Sequence, residues 1–371
     1  MSDTTMSWGG TPAQMPRSTA ADILNKGLRV FFSEFVRISL SDPRQALHFM
    51  RVAAWQRRAA RLRSRYQSEG LYVPPIVIFS ITNKCNLACK GCYAQAIRGN
   101  GGEELTGAEI RDIVAQADDL GTSFFVIAGG EPLTRPEFLD IARDFPHIVF
   151  LLFTNGLLLD HALISRLRTQ RNTIPVLSIE GRESETDGRR GQGVHERLRE
   201  KMAELKRAGV FFSLSMTVTR DNFGTVTDTA FIRGAADQGC RFFLFAEYTP
   251  VKPGTEDWVI TEAQRTEMKS VVAALRREIS AVFVAVPWDE EETGGCLASG
   301  RGFVHVSARG DLEPCPFAPY SDTNLRTVPL KKALESRFLR SLRDNHDRLA
   351  ETEGGCALWK QRDLVKSFLE A

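Results

Sequence analysis

Six short runs of β-branched and aromatic residues recur between residues 76 and 249, each divided from the next by a segment of helical periodicity. The runs are 76–82, 123–128 (SFFVIA), 148–153 (IVFLLF), 174–179 (IPVLSI), 210–219 (VFFSLSMTVT) and 241–249 (RFFLFAEYT). Several intervening segments open on a small polar residue, as in TGAEIRDIVAQADDL, or close on glycine, as in VHERLREKMAELKRAG. Helix caps prefer those residues. Strands interleaved with helices in this way imply a parallel sheet with right-handed crossovers. About 175 residues suit an open, partial barrel better than an eightfold closed one. The expected fold class is α/β: a partial (β/α)6 TIM-like barrel with N-terminal helices and a small C-terminal domain.

The rest of the chain divides around that core. Residues 1–18, small and polar with Gly, Pro and Ser, read as a disordered leader. Residues 19–70 read as a helical segment and 71–284 as the barrel. After a helix near 261–280 the alternation is expected to stop, leaving 285–371 as an appendage with a short strand-like pair around GFVHVSARGDLEPCPF. The stretch MRVAAWQRRAARLRSRY carries Arg51, Arg57, Arg58, Arg61, Arg63 and Arg65 without an acid among them. A solvated helix face is the simplest reading. The functional alternative is docking to an anionic partner, a lipid headgroup at a membrane surface or a phosphorylated substrate.

Forty-eight basic against 46 acidic residues leave +2, too even a balance to argue for nucleic acid as the main partner. The N-terminus lacks a basic region followed by an apolar one, and no stretch approaches the roughly 18 apolar residues of a membrane span. A cytoplasmic location is expected. Thiols stay reduced there, so clustered cysteines favour metal or catalysis over disulfides.

Cys85, Cys89 and Cys92 form C-x3-C-x2-C directly after the first run, on the rim where barrel enzymes assemble their sites. A tetrahedral zinc or a fully ligated iron–sulfur cube wants a fourth protein ligand, and no nearby Cys or His supplies one. One iron would stay open to a substrate or cofactor.

This spacing, with Tyr93 following it, resembles the signature of the radical S-adenosylmethionine (radical SAM) superfamily, over about residues 74–250. The resemblance implies a [4Fe-4S] cluster on the three cysteines and SAM at the open iron. AGGEP at 128–132 matches the family's glycine-rich segment, so Gly129, Gly130, Glu131 and Pro132 would receive the methionyl ammonium. FTNG at 153–156 supplies Thr154 and Asn155 at the third strand's end. In LSIEG at 177–181, Ser178 and Glu180 resemble the ribose-contacting pair. Reductive cleavage of SAM would give methionine and a 5′-deoxyadenosyl radical that removes hydrogen from an unactivated carbon, the protein supplying orientation and exclusion of side reactions.

The tail holds Cys296, Cys315 and Cys356, the first two in C-x13-G-x4-C with Gly310 at the turn. This resembles the auxiliary-cluster segment of SPASM and Twitch domains, which implies a second [4Fe-4S] cluster. It departs from them in offering one further cysteine only, which leaves the fourth ligand open; three buried structural thiols are the plainer reading. Cys240, just before the sixth run, is a core thiol or else a hydrogen-atom donor. Glu247 and Tyr248 lie at the other end of that run as candidate substrate contacts. Asp289, Glu290, Glu291 and Glu292 form a charge run that is solvated or binds a cationic substrate.

The expected function is an oxidoreductase acting on a small metabolite or natural-product intermediate by dehydrogenation or epimerisation. In it the tail cluster accepts an electron or ligates substrate, and flavodoxin or ferredoxin serves as reductant. The alternatives are a maturase of ribosomally made peptides, which residues 1–70 disfavour for want of a strand triplet, a lipid-modifying enzyme, and an iron–sulfur carrier or scaffold. Fold-level kinship does not choose among them.

Overall fold

The computed structural model describes residues 19–97, 102–286, 296–298, 300–349 and 356–370. Nine strands form one sheet: β1 (Ile76–Thr82), β2 (Phe124–Gly129), β3 (Val149–Thr154), β4 (Thr173–Ser178), β5 (Ser213–Val218), β6 (Phe242–Glu247), β7 (Val282–Val286), β8 (Phe303–Val306) and β9 (Leu312–Glu313). Their order is β7-β6-β5-β4-β3-β2-β1-β8-β9. All neighbouring pairs are parallel except β8 with β9. The sheet is that of a partial TIM-like barrel, as the alternation of runs and helices implies.

The alternation goes one step further than expected. After helix Glu262–Glu278 the chain forms β7, which pairs with β6 and stacks Phe283 on Phe243, centroids 5.1 Å apart. The five-residue run VFVAV is too short to stand out in the sequence, and its strand state depends on the β6 edge that receives it. The tail strands β8 and β9 join the same sheet beside β1.

Local signals account for the helices. Thr106 and Glu109 form a reciprocal capping box on helix Gly107–Leu120, which ends at Gly121 in the left-handed region. Asp42 caps helix Pro43–Ser68 by accepting from the backbone N–H of Arg44 (3.0 Å) and Gln45 (3.2 Å), with Pro43 fitting the first turn.

The two faces of the sheet have different partners. Val77, Phe79, Ile81, Val304 and Val306 face the surrounding helices within one large core. On the other face, Phe124, Val149, Ile174, Phe242 and Val282, near the strand starts, pack against Phe32, Phe35, Phe49 and Val52 of helices Thr19–Ile38 and Pro43–Ser68. The N-terminal helices therefore plug the lower half of the barrel. Full burial of each of those phenylalanines contributes about 1.5–3 kcal/mol. The upper half, where the strands end, is left for chemistry.

One arginine departs from the expected basic face. Arg63 is buried, its guanidinium bonded to the Gly121 carbonyl and to Asn25 Oδ1 (2.5 Å). It ties the helix to the end of Gly107–Leu120 and is not offered to a partner. No helix among the described residues is long and apolar enough to cross a membrane.

Candidate active site and cluster loops

β1 ends at Thr82, and the next ten residues carry Cys85, Cys89 and Cys92 above the strand ends. Backbone of the Gly129–Gly130 segment runs directly alongside this loop. Gly130 N–H donates to the Thr82 carbonyl and Glu131 N–H to the Lys84 carbonyl, both at 2.7 Å. A Cβ on Gly129 would collide with the Thr82 carbonyl, and one on Gly130 with that of Lys84. The glycines are thus demanded by the loop itself, before any ligand is considered.

The rest of AGGEP also holds the scaffold. Glu131 is buried and accepts from Thr154 Oγ1 (2.7 Å), Asn155 N–H (2.7 Å) and Leu133 N–H (3.0 Å). Burial raises its pKa against those hydrogen bonds. Both carboxylate oxygens are thus engaged in holding the scaffold, Oε1 by two donors and Oε2 by one. Pro132 opens the short turn that follows. Asn155 Nδ2 reaches Asn86 Oδ1 (2.7 Å), so the FTNG turn grips the thiol loop. Asn86 carried no signal in the sequence beyond its place between two cysteines.

A second clamp comes from helix Glu183–Arg190. Lys90 N–H donates to the Arg189 carbonyl (2.9 Å), and Arg189 Nε to the Lys90 carbonyl (3.2 Å). Arg189 and Arg190 both pair with Glu180, whose side chain is 1% exposed: Arg189 Nη1 lies 2.7 Å and Arg190 Nε 2.8 Å from Oε1. Glu180 Oε2 is buried with no hydrogen-bond partner in the protein. Desolvation opposes the Arg190 charge, but Glu180 and Cys89 hold its pKa above the ordinary value. Burial pushes the Cys89 thiol up, while Arg190 and Arg189 pull it down. The sequence does not announce these arginines, because RRG at 189–191 reads as an ordinary basic helix end.

A cavity of about 850 Å3 lies between the thiol loop and this helix, lined among others by Ala88, Lys90, Arg182, Asp187 and Arg189. Ser178, at the end of β4, is half-buried.

Gly91, with φ of 64°, sits under an aromatic wedge: a Cβ there would come within 2.7 Å of both Tyr248 Oη and Trp258 Cζ3. Tyr248 is buried, donates to Thr255 Oγ1 (2.9 Å) and leans on Trp258. It braces the loop between Cys89 and Cys92 and presents no free hydroxyl to a substrate. Glu247 is likewise occupied, its carboxylate paired with Arg265 (2.5 Å). Cys240 is fully buried at the start of β6, the end opposite Glu247. Its thiol donates to the Phe242 carbonyl (3.2 Å), and burial pushes its pKa up to about 12. A chain that places Cys240 and Glu247 at opposite ends of one strand keeps this thiol away from the thiol loop.

The tail cysteines are brought together from separate segments. Interaction with the Cys356 thiol first, then burial and the nearby Cys296, raise the Cys315 pKa well above the ordinary value. Backbone N–H groups point at two of the sulfurs: Ala298 at Cys296 Sγ and Phe317 at Cys315 Sγ, each at 3.5 Å. Such bonds tune the potential of a thiolate-held cluster. Tyr93, opening the short helix after Cys92, meets Phe317 with ring centroids 5.0 Å apart. Among the described residues no three His, Cys, Asp or Glu side chains converge on a single metal ion.

The donor set of both thiol groups fits a cluster: soft ligands, partly buried in all but the buried Cys315, with cationic neighbours at the first group and backbone N–H partners at the second. A buried polar row that the sequence did not announce crosses β1, β8 and β9. His305 Nε2 lies 2.8 Å from Ser80 Oγ, and Nδ1 2.6 Å from Glu313 Oε2. Residues 1–18 and the acidic run Asp289, Glu290, Glu291 and Glu292 lie outside the described residues.

Comparison with known proteins agrees with this geometry. Residues 79–231 match the model of the radical SAM superfamily. The chain is 27% identical over 320 residues to AdoMet-dependent heme synthase of Methanosarcina barkeri, covering 78% of this chain and 90% of that protein. It is 26% identical over 266 residues to mycofactocin maturase MftC of Mycobacterium ulcerans, covering 67% and 70%. Streptococcus suis SuiB, solved with its precursor peptide SuiA, shares the fold with a TM-score of 0.62 at 16% identity, covering 78% of this chain and 70% of that one.

Proposed function

The chain belongs to the radical SAM superfamily through residues 79–231, and from that membership we propose that it oxidises an unactivated carbon of a small metabolite or natural-product intermediate. When bound, a [4Fe-4S] cluster and SAM supply a 5′-deoxyadenosyl radical able to remove hydrogen from such a carbon. The residues that would hold them are Cys85, Cys89 and Cys92 for the cluster, and Tyr93, Thr154, Asn155 and the backbone of Gly129–Gly130 around the nucleotide's methionyl end. Ser178 and Glu180 would meet the ribose. The unpartnered, buried Oε2 of Glu180 supports that role, since a buried acceptor without a donor awaits one.

The observation that carries the oxidative reading is the meeting of Cys296, Cys315 and Cys356, distant in sequence: Cys315 lies in the main core with the other two packed against it, and both raise its pKa. We read them as ligands of a second cluster that takes an electron from the substrate or binds it. The place of Cys240 supports dehydrogenation over epimerisation, because the thiol that could return a hydrogen atom lies at the far end of β6. A flavodoxin or ferredoxin would supply the reducing electron.

A peptide substrate is the second reading, supported by the similarity to the mycofactocin maturase and to the peptide-bound SuiB. Against it, described residues 19–70 form two helices spent on plugging the barrel, and the heme synthase similarity extends over more of both chains than the maturase similarity does.

Anaerobic reconstitution followed by dithionite reduction tests the reading. 5′-Deoxyadenosine is expected from the parent and none from a Cys85→Ala, Cys89→Ala, Cys92→Ala variant, which should keep about half the iron and sulfide. Loss of all iron in that variant would remove the second cluster from the account.

A further inference from the structure

We propose that the outer face of helix Pro43–Ser68, with the corner leading into it, docks on an anionic phospholipid bilayer. The helix spans about 39 Å. It carries no Asp or Glu. Arg44, Arg51, Arg57, Arg58 and Arg61 are all exposed and recur at spacings that keep them on one side. Arg44, Arg51, Arg57 and Arg61 make no ion pair among the described residues. Arg63, which does not share this face, is the arginine used internally.

Large apolar side chains are exposed on the same region. Leu40 is 66%, Leu47 44% and Met50 49% exposed, and they are half of the six exposed large hydrophobics among the described residues. Nothing inside the fold requires them there, since the opposite side of the helix already supplies Phe49, Val52 and Ala59 to the core.

Guanidinium groups interleaved with exposed Leu and Met complement a surface that is anionic and also accepts apolar side chains. A bilayer bearing phosphatidylglycerol or a similar lipid is such a surface. Duplex nucleic acid offers phosphates but nothing for Leu40, Leu47 and Met50 to enter. The location is compatible, because this helix plugs the strand-start end of the barrel and the thiol loop lies at the other. The inference stands independently of the reaction catalysed.

Sedimentation of the full chain with vesicles tests it. Binding is expected to phosphatidylcholine vesicles containing about one third phosphatidylglycerol, and not to pure phosphatidylcholine. Arg57→Glu with Arg61→Glu should cut that partitioning about tenfold or more. Leu47→Gln with Met50→Gln should remove the part that survives raised salt. Both pairs are exposed, and an unchanged melting temperature and SAM cleavage in each variant verify the fold. Failure to bind anionic vesicles, equal binding to neutral ones, indifference to both double substitutions, or preference for duplex DNA over anionic vesicles would each overturn the proposal.

Discussion

The rings of Tyr93 and Phe317 meet at 5.0 Å between centroids and an interplanar angle of 56°. Tyr93 directly follows Cys92, and Phe317 directs its backbone N–H at Cys315 Sγ. Two cysteine groups more than two hundred residues apart in the chain are thus joined by one aromatic contact, worth about 0.5–1.5 kcal/mol beyond its area. Phe317→Ala should loosen the tail segment that holds Cys315. Iron analysis is expected to show loss from the tail site with the first site retained, and an unchanged iron-to-protein ratio would count against this linkage.

Gly130 and Gly234 should respond oppositely to the same substitution. Gly130→Ala drives a Cβ into the Lys84 carbonyl and should displace the thiol loop, abolishing iron uptake at Cys85, Cys89 and Cys92. Gly234 lies in helix Thr229–Asp237 with nothing within 4 Å of an added Cβ. Gly234→Ala should raise stability by about 0.5–1 kcal/mol, read from chemical denaturation. Normal iron uptake in the first variant would refute the steric account.

Glu180 is the shared counterion of two guanidinium groups in a nearly dry setting. Glu180→Gln leaves Arg189 and Arg190 without a countercharge, and breaking such a pair should cost about 3 kcal/mol. Urea denaturation measures that loss. Titration with SAM should also show weaker binding if Oε2 meets the ribose; a variant with parental stability and affinity would show the carboxylate to be dispensable.

His48 predicts an acid sensitivity. Burial first, then the charges of Arg171 and Arg51, lower its pKa to about 4, and its Nε2 is buried without a partner. The unfolded chain, with an ordinary histidine, binds the proton more readily than the folded one. Its contribution to stability is therefore full above about pH 6.5 and declines as pH falls toward 4, by at most about 3 kcal/mol. His48→Phe should flatten stability over that window, and an equally steep decline in the variant would assign the sensitivity elsewhere.

Much of the thiol loop was legible because its information is local. C-x3-C-x2-C follows a strand run, and a loop after a parallel strand must emerge on the rim shared by the other strand ends. AGGEP, FTNG and LSIEG could be placed on the same rim for the same reason. What their side chains touch was not legible. Glu131 reads as a ligand contact and is engaged by Thr154 and Asn155; Tyr248 reads as a substrate contact and braces Gly91. Each partner lies on another strand, so no spacing in one segment could reveal it.

By itself the sequence determined the alternation of strands and helices, the helix caps and the set of seven thiols, since periodicity and capping depend on neighbours a few residues apart. Tertiary structure alone decided that VFVAV becomes a seventh strand against β6, that the tail strands flank β1, that Arg63 turns inward and that Arg189 and Arg190 converge on Glu180 beside the cysteines. Those outcomes depend on edges, cavities and desolvated charges that exist only once remote segments have packed together.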